Sequence, residues 1–135
     1  MTDEDYYWST LLGMAEMARF GIVSCSDMYF GGEERMRAIL DSKMKCNTCE
    51  CIISFDDIHF SEHPLYKFSM DMIDNYNGAN AGKVKTDLCI HGEYTTKELI
   101  CREIGDMAKD KNLIIHSHVS ETEAEHKECK STILH

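Results

Sequence analysis

Ile114-Ile115-His116-Ser117-His118-Val119-Ser120-Glu121-Thr122 reads as an apolar strand that delivers a histidine at its C-terminal end. A glutamate follows three residues later, where the next helix begins. In sheets built from alternating strands and helices, that end of a strand is where catalytic groups collect. His118 can bind a metal there, and Glu121 can move protons beside it. The strand spans 113–118, and a helix over 96–110, capped by Thr95 or Thr96, precedes it. Upstream lie an alternating strand over 83–90, a helix over 64–76 that Pro64 opens, and a β-like stretch over 44–55. A helix over 33–42, a strand over 22–25 and a helix over 2–20 come before these. Thr2 is the expected N-cap of that first helix, and Trp8, Leu11, Leu12, Ala15 and Ala18 recur at helical spacing. The helix over 121–130 closes the series. The order α-β-α-β-α-β-α-β-α implies a parallel sheet. Three strand ends then carry reactive groups: Asp27, His91, and His118 with Glu121.

At 135 residues the chain is long enough for one domain, 1–135, with a core of its own. A complete eight-stranded β/α barrel takes roughly 250 residues. The expected fold class is therefore α/β: a partial (half) TIM-type β/α barrel with about four parallel strands and five helices. The net charge of −10, from 24 acidic and 14 basic residues, argues against nucleic acid and anionic membranes, which are bound through basic groups. No apolar run reaches the roughly 18 residues of a transmembrane helix. Met1-Thr2-Asp3-Glu4-Asp5 is acidic, unlike a secretory leader. With that start, the seven cysteines read as reduced thiols of a cytoplasmic protein.

Three segments in order resemble a known family. Met14-Ala15-Glu16-Met17-Ala18-Arg19-Phe20-Gly21 followed by Asp27-Met28-Tyr29-Phe30 resembles the second-strand region of methylthioadenosine/S-adenosylhomocysteine deaminases, members of the amidohydrolase superfamily of metal-dependent hydrolases. His91-Gly92-Glu93-Tyr94-Thr95 resembles that family's His-x-x-Tyr segment. Ile115-His116-Ser117-His118-Val119-Ser120-Glu121-Thr122 resembles its metal-binding fifth strand. The resemblance runs from about Thr2 to Lys130 and implies strands two to five of an eight-stranded barrel.

It also implies roles. The histidine matching His118 is a zinc ligand, and the glutamate matching Glu121 relays a proton between metal-bound water and the leaving amine. The histidine matching His91 contacts substrate, whereas the residue matching His116 is usually not a ligand. A bound zinc would make hydroxide available near neutral pH, and Glu121 would serve as general acid and base. The family draws further ligands from a His-x-His on strand one, a histidine on strand six and an aspartate on strand eight. None of these matches a position here, and zinc takes about three or four protein ligands. Where the family places an arginine for the amino-acid carboxylate of S-adenosylhomocysteine, this sequence has Glu50. That substrate is accordingly disfavoured.

Each residue also has an ordinary explanation. His118 can be a strand-end histidine bonded to backbone, and Glu121 a helix-start carboxylate favoured by the helix dipole. His91 beside Gly92 can serve a turn, and Asp27 is expected to cap the segment after its strand. Cys46-x-x-Cys49-x-Cys51 has half the spacing of a thiolate metal site. Strand alternation splits it across two faces, however, and buried apolar thiols are the expectation. Glu123, Glu125 and His126 are expected on a solvated helix face.

The resulting expectation is an amidohydrolase-type, zinc-dependent deaminase acting on C–N bonds of purine nucleoside-like substrates. It lacks most of its metal ligands and is weakly active or inactive by itself. The alternative is a non-catalytic half-barrel module that forms a homo-oligomer or docks onto a complementing chain, since open sheet edges pair readily.

Overall fold

Strands and helices alternate along the chain, and every strand pairs parallel to its neighbour. The computed structural model describes the backbone of residues 1–133 and the side chains of residues 1–128. Helix α1, Asp3–Arg19, starts in a capping box: Thr2 Oγ1 accepts the Asp5 amide at 3.2 Å, and Asp5 Oδ2 accepts the Thr2 amide at 2.7 Å. Strand β1 (Ser24–Tyr29), helix α2 (Gly32–Ser42) and strand β2 (Lys45–Glu50) follow. A 3-10 turn at Phe60–Glu62 leads into α3 (Tyr66–Tyr76). The four-residue α4 (Ala79–Gly82) is a left-handed turn, with Asn80 and Ala81 at φ 50° and 59°. Strands β3 (Val84–Thr86) and β4 (Leu88–Gly92), helix α5 (Glu98–Lys111), strand β5 (Ile115–His118) and helix α6 (Glu123–Ile133) complete the order.

The sheet runs β1-β2-β3, and a second pair joins β4 to β5. Strands β3 and β4 are two halves of one extended run divided at Asp87. The Asp87 amide donates to the Thr48 carbonyl at 3.0 Å, while Asp87 Oδ1 accepts the Ile114 amide at 2.8 Å. One residue thus fastens the run to both neighbours. Past β2, the His91 amide bonds the Ile52 carbonyl, and Ser54 bridges Thr96 in parallel.

Two apolar clusters fill the space between sheet and helices. One gathers Met14, Met36, Ile39, Cys46, Met72 and Val84; the other gathers Ile52, Phe60, Ile73, Leu88, Ile100 and Ile104. Cys49, Cys51 and Cys89 form a third, smaller group. Mutual hydrogen bonding and burial push the Cys89 thiol up to about 12 and raise Cys51 as well. Cys51 and Cys89 therefore stay protonated, and the three side chains pack as small apolar groups.

Several expectations require correction. Strand one begins at Ser24 and extends to Tyr29, so Asp27 lies within β1 and caps nothing. Its carboxylate is bonded by Arg35 and by Thr48 Oγ1. Glu50 is 5% exposed and pairs with Arg35 Nη2 at 3.2 Å, so an arginine of α2, shared with Asp27, faces its carboxylate. The N-cap of α5 is Lys97, and the hydroxyls of Thr95 and Thr96 bond the carbonyls of Gly92 and Ile52 instead. Trp8 and Leu12 are 58% and 64% exposed; α1 packs through Met14 and Met17. Glu125 is 6% exposed and does not belong to a solvated face.

Candidate functional site

Parallel pairing brings the C-terminal ends of β4 and β5 together. The His91 and His118 rings meet edge to face, with centroids 5.1 Å apart, and Tyr94 packs on His91 at 5.9 Å. Tyr94 Oη donates to Glu121 Oε2 at 3.0 Å. His91, His118 and Glu121, taken from two separate stretches of sequence, thus share one site with Tyr94 between them. Asp27, expected at a strand end, lies inside β1 and is held in the Arg35 ion pair. Glu121 lies in the turn before α6 and not in the helix itself.

Local hydrogen bonds determine how each group is presented. Thr95 Oγ1 donates its proton to the Gly92 carbonyl at 3.2 Å, so at 2.8 Å it accepts from His91 Nδ1. With the Thr95 hydroxyl turned to Gly92, the neutral tautomer of His91 that fits has its proton on Nδ1 and Nε2 as its acceptor. Gly92 is needed for contact: a Cβ there would lie 3.1 Å from Tyr94 Cε1 and 3.6 Å from the His118 carbonyl oxygen. The register between β4 and β5 also shifts between Cys89 and Gly92. That irregularity sets the strand ends at which His91 and His118 stand.

The turn that carries Glu121 is fixed by Glu125. Its carboxylate accepts the amides of Ser120 at 3.0 Å, Glu121 at 2.7 Å and Thr122 at 3.2 Å. Thr122 Oγ1 accepts the Glu125 amide in return at 3.1 Å, which completes a capping box. Ser120 sits at φ 53°, a left-handed conformation that a non-glycine residue holds only when its surroundings compel it. The Thr122-x-x-Glu125 spacing is a helix-start signature readable in the sequence, although sequence reasoning assigned Glu125 to solvent. The hydrogen bond to Glu121 keeps the Tyr94 phenol protonated beyond its ordinary range.

His118 also lines a cleft of about 600 Å³, together with Ser26, Asp27, Asn47, His116 and Ser117 among others. His116 Nδ1 lies 3.0 Å from Ser26 Oγ, and its Nε2 and Asn47 Oδ1 are buried without partners. Burial pulls the His116 imidazole below its ordinary range, against the opposing influence of Asp87 and Asp27. His63 is bonded on both nitrogens, to the Leu65 amide and the Ile53 carbonyl, and its role is to hold the loop after β2. Among the described residues, no group of three or more histidine, cysteine, aspartate or glutamate side chains is placed to hold a metal ion. His118 is a single donor, so these residues do not make a zinc site by themselves. No described helix is long and apolar enough to cross a membrane.

The sequence profile of the amidohydrolase family matches residues 1–135. A 5-methylthioadenosine/S-adenosylhomocysteine deaminase of Dictyoglomus turgidum is 30% identical over 131 residues, 97% of this chain and 30% of that protein. A 5'-deoxyadenosine deaminase of Methanospirillum hungatei is 29% identical over 132 residues, 98% of this chain and 29% of that protein. The chain thus spans about 30% of the length of the curated relatives it matches. A crystal structure of atrazine chlorohydrolase from Arthrobacter aurescens TC1 complexed with zinc superposes at a TM-score of 0.65. It is 17% identical, and the match covers 81% of this chain and 28% of that one. The likeness establishes the fold: four adjacent strand–helix units of a β/α barrel.

Proposed function

The chain belongs to the amidohydrolase family, and from that premise we propose that it carries the proton-transfer edge of a metal-dependent deaminase for purine nucleoside-like substrates. The convergence of His91, Tyr94, His118 and Glu121 at the ends of β4 and β5 is the observation that supports it. In this reading Glu121 accepts the proton of the attacking water and returns it to the departing amine. His91 meets the purine through Nε2, and His118 contributes one donor to a zinc ion. The other donors come from outside the described residues, because zinc takes about three or four protein ligands. Deaminase relatives of two substrate types support the purine class. By themselves, these 135 residues give little or no turnover.

The test is a nuclear magnetic resonance titration of the chain with 5'-methylthioadenosine. Shifts confined to Gly92, Tyr94 and the 117–121 turn, absent in His91→Ala, are expected. No perturbation at millimolar nucleoside would overturn the substrate class. Steady ammonia release by the purified chain, lost in His118→Ala, would overturn its inactivity.

A second reading, a half-barrel module that self-associates or docks onto a chain supplying further strands, is favoured by a separate observation. Trp8, Leu12, Phe20, Ile22 and Val23 are exposed on the β1 side, and Ile114 and Val119 on the β5 side.

A further inference from the structure

We infer that Tyr94 and Glu125 are positioning residues for Glu121, gripping it from opposite ends: Glu125 holds its backbone and Tyr94 its carboxylate. This rests on the reading of Glu121 as the proton carrier and adds to it how that carrier is aimed. A glutamate side chain in a surface turn samples many rotamers, and general acid–base catalysis needs it within hydrogen-bonding reach of the reacting atoms. Here the turn has little freedom left. Three consecutive amides, 120 to 122, converge on one buried carboxylate, and hydrogen bonds to an ionised acceptor are the stronger kind. They hold Ser120 in its left-handed conformation, which directs the chain so that Glu121 leaves the turn beside Tyr94.

The second grip depends on β4. The Tyr94 ring lies against His91 and over Gly92, so its hydroxyl reaches Glu121 from the strand that also presents His91. One carboxylate oxygen, Oε2, takes the Tyr94 hydrogen bond, and Oε1 is left for the travelling proton. Tyr94 therefore fixes which oxygen does the work and ties the proton carrier to the substrate-contacting histidine. If the turn loosened, the two contacts would fail in sequence: first the amides, then the phenol.

The experiment is amide hydrogen exchange together with ultraviolet titration of the tyrosines on the full 135-residue chain; it needs neither metal nor turnover. In the parent chain the amides of 120–122 are protected, and two tyrosines ionise later than the rest: Tyr94, bonded to Glu121, and Tyr7, bonded to Asp41. In Glu125→Ala, exchange at these three amides rises about ten-fold or more, as loss of charge-assisted hydrogen bonds implies. One of the two late tyrosines, the one removed by Tyr94→Phe, rejoins the others, as it also does in Glu121→Gln, while Tyr7 stays late. Glu125→Gln, which keeps an acceptor oxygen, restores part of both signals. Unchanged protection within α5 shows that each variant is folded. Two results would overturn the inference: free exchange at 120–122 in the parent chain, or two late tyrosines that both persist once Glu125→Ala has exposed those amides. A complete relative that kept its activity after the glutamate matching Glu121 was changed to glutamine would remove the proton-carrier reading while leaving both grips intact.

Discussion

Arg35 lies 1% exposed on α2, with Asp27 and Glu50 both on its guanidinium. Its Nη atoms also reach Thr48 Oγ1 at 3.0 Å and the Cys49 carbonyl at 2.9 Å. A planar fork can serve four acceptors on two strands in this way, and an ammonium cannot. Removing it leaves two carboxylates facing each other with little water, so Arg35→Ala should cost about 3–5 kcal/mol. Arg35→Lys should recover only part of that in thermal melts. The pH dependence carries a sign. Burial raises the Glu50 carboxyl above its ordinary range, and Arg35 works against this. A raised carboxyl favours folding while it is protonated, below its unfolded value, and loses that advantage as pH rises through the folded one. The deficit of Arg35→Ala should therefore shrink in acid and grow towards neutrality; a deficit independent of pH would contradict this account. No local pattern points to the cluster. Asp27, Arg35 and Glu50 lie 8 and 15 positions apart in sequence, and only the pairing of β1 with β2 under α2 brings them together.

Among the elements, the helices were easier to read than the strands, because caps and apolar spacing are local signals. Thr2 and the ends of α2 and α5 fell within a few residues of expectation. Strands β1, Ser-Cys-Ser-Asp-Met-Tyr, and β2, Lys-Cys-Asn-Thr-Cys-Glu, contain almost no branched aliphatic residues. Thiols, hydroxyls and a salt-bridge cluster take their place, so hydropathy placed these strands but misjudged their limits. The division of one run at Asp87 depends on partners far along the chain and leaves no local trace. The site showed the same split: His91, His118 and Glu121 were named from motifs, whereas Glu125, carried by a legible capping box, was not.

One contact between elements is set by pH. Glu103 of α5 bonds His59 Nδ1 and the Phe60 amide, each at 2.6 Å, and so ties the 3-10 turn to the helix. The hydrogen bond that His59 donates to Glu103 raises the His59 imidazole, and the same bond, with the one from the Phe60 amide, lowers the Glu103 carboxyl. The histidine contribution is complete below its unfolded value and fades as pH rises through the raised one. The carboxyl contribution is complete above its unfolded value and fades as pH falls through the lowered one. The melting-temperature difference between the parent chain and Glu103→Gln should therefore peak in weak acid and decline on both sides. A difference that rose steadily with pH would contradict the pairing.

For the whole molecule, the chain presents a sheet with strands β1 and β5 at its margins, beside exposed Trp8, Leu12, Val23, Ile114 and Val119. Unpaired margins with apolar neighbours favour association. Sedimentation should show the chain larger than one copy at micromolar concentration. Trp8→Gln with Leu12→Lys should return it towards a single copy without lowering its melting temperature, because both side chains already face outward. A parent chain that sediments as a single copy throughout would remove this expectation.

The two main apolar clusters share no side chain, yet Met72 and Ile73, adjacent on α3, belong one to each. That helix acts as a party wall between two rooms. Damage on either side is transmitted through it, so the halves should melt together in one cooperative transition, and a helix remote from the ends of β4 and β5 governs how long that edge survives heat.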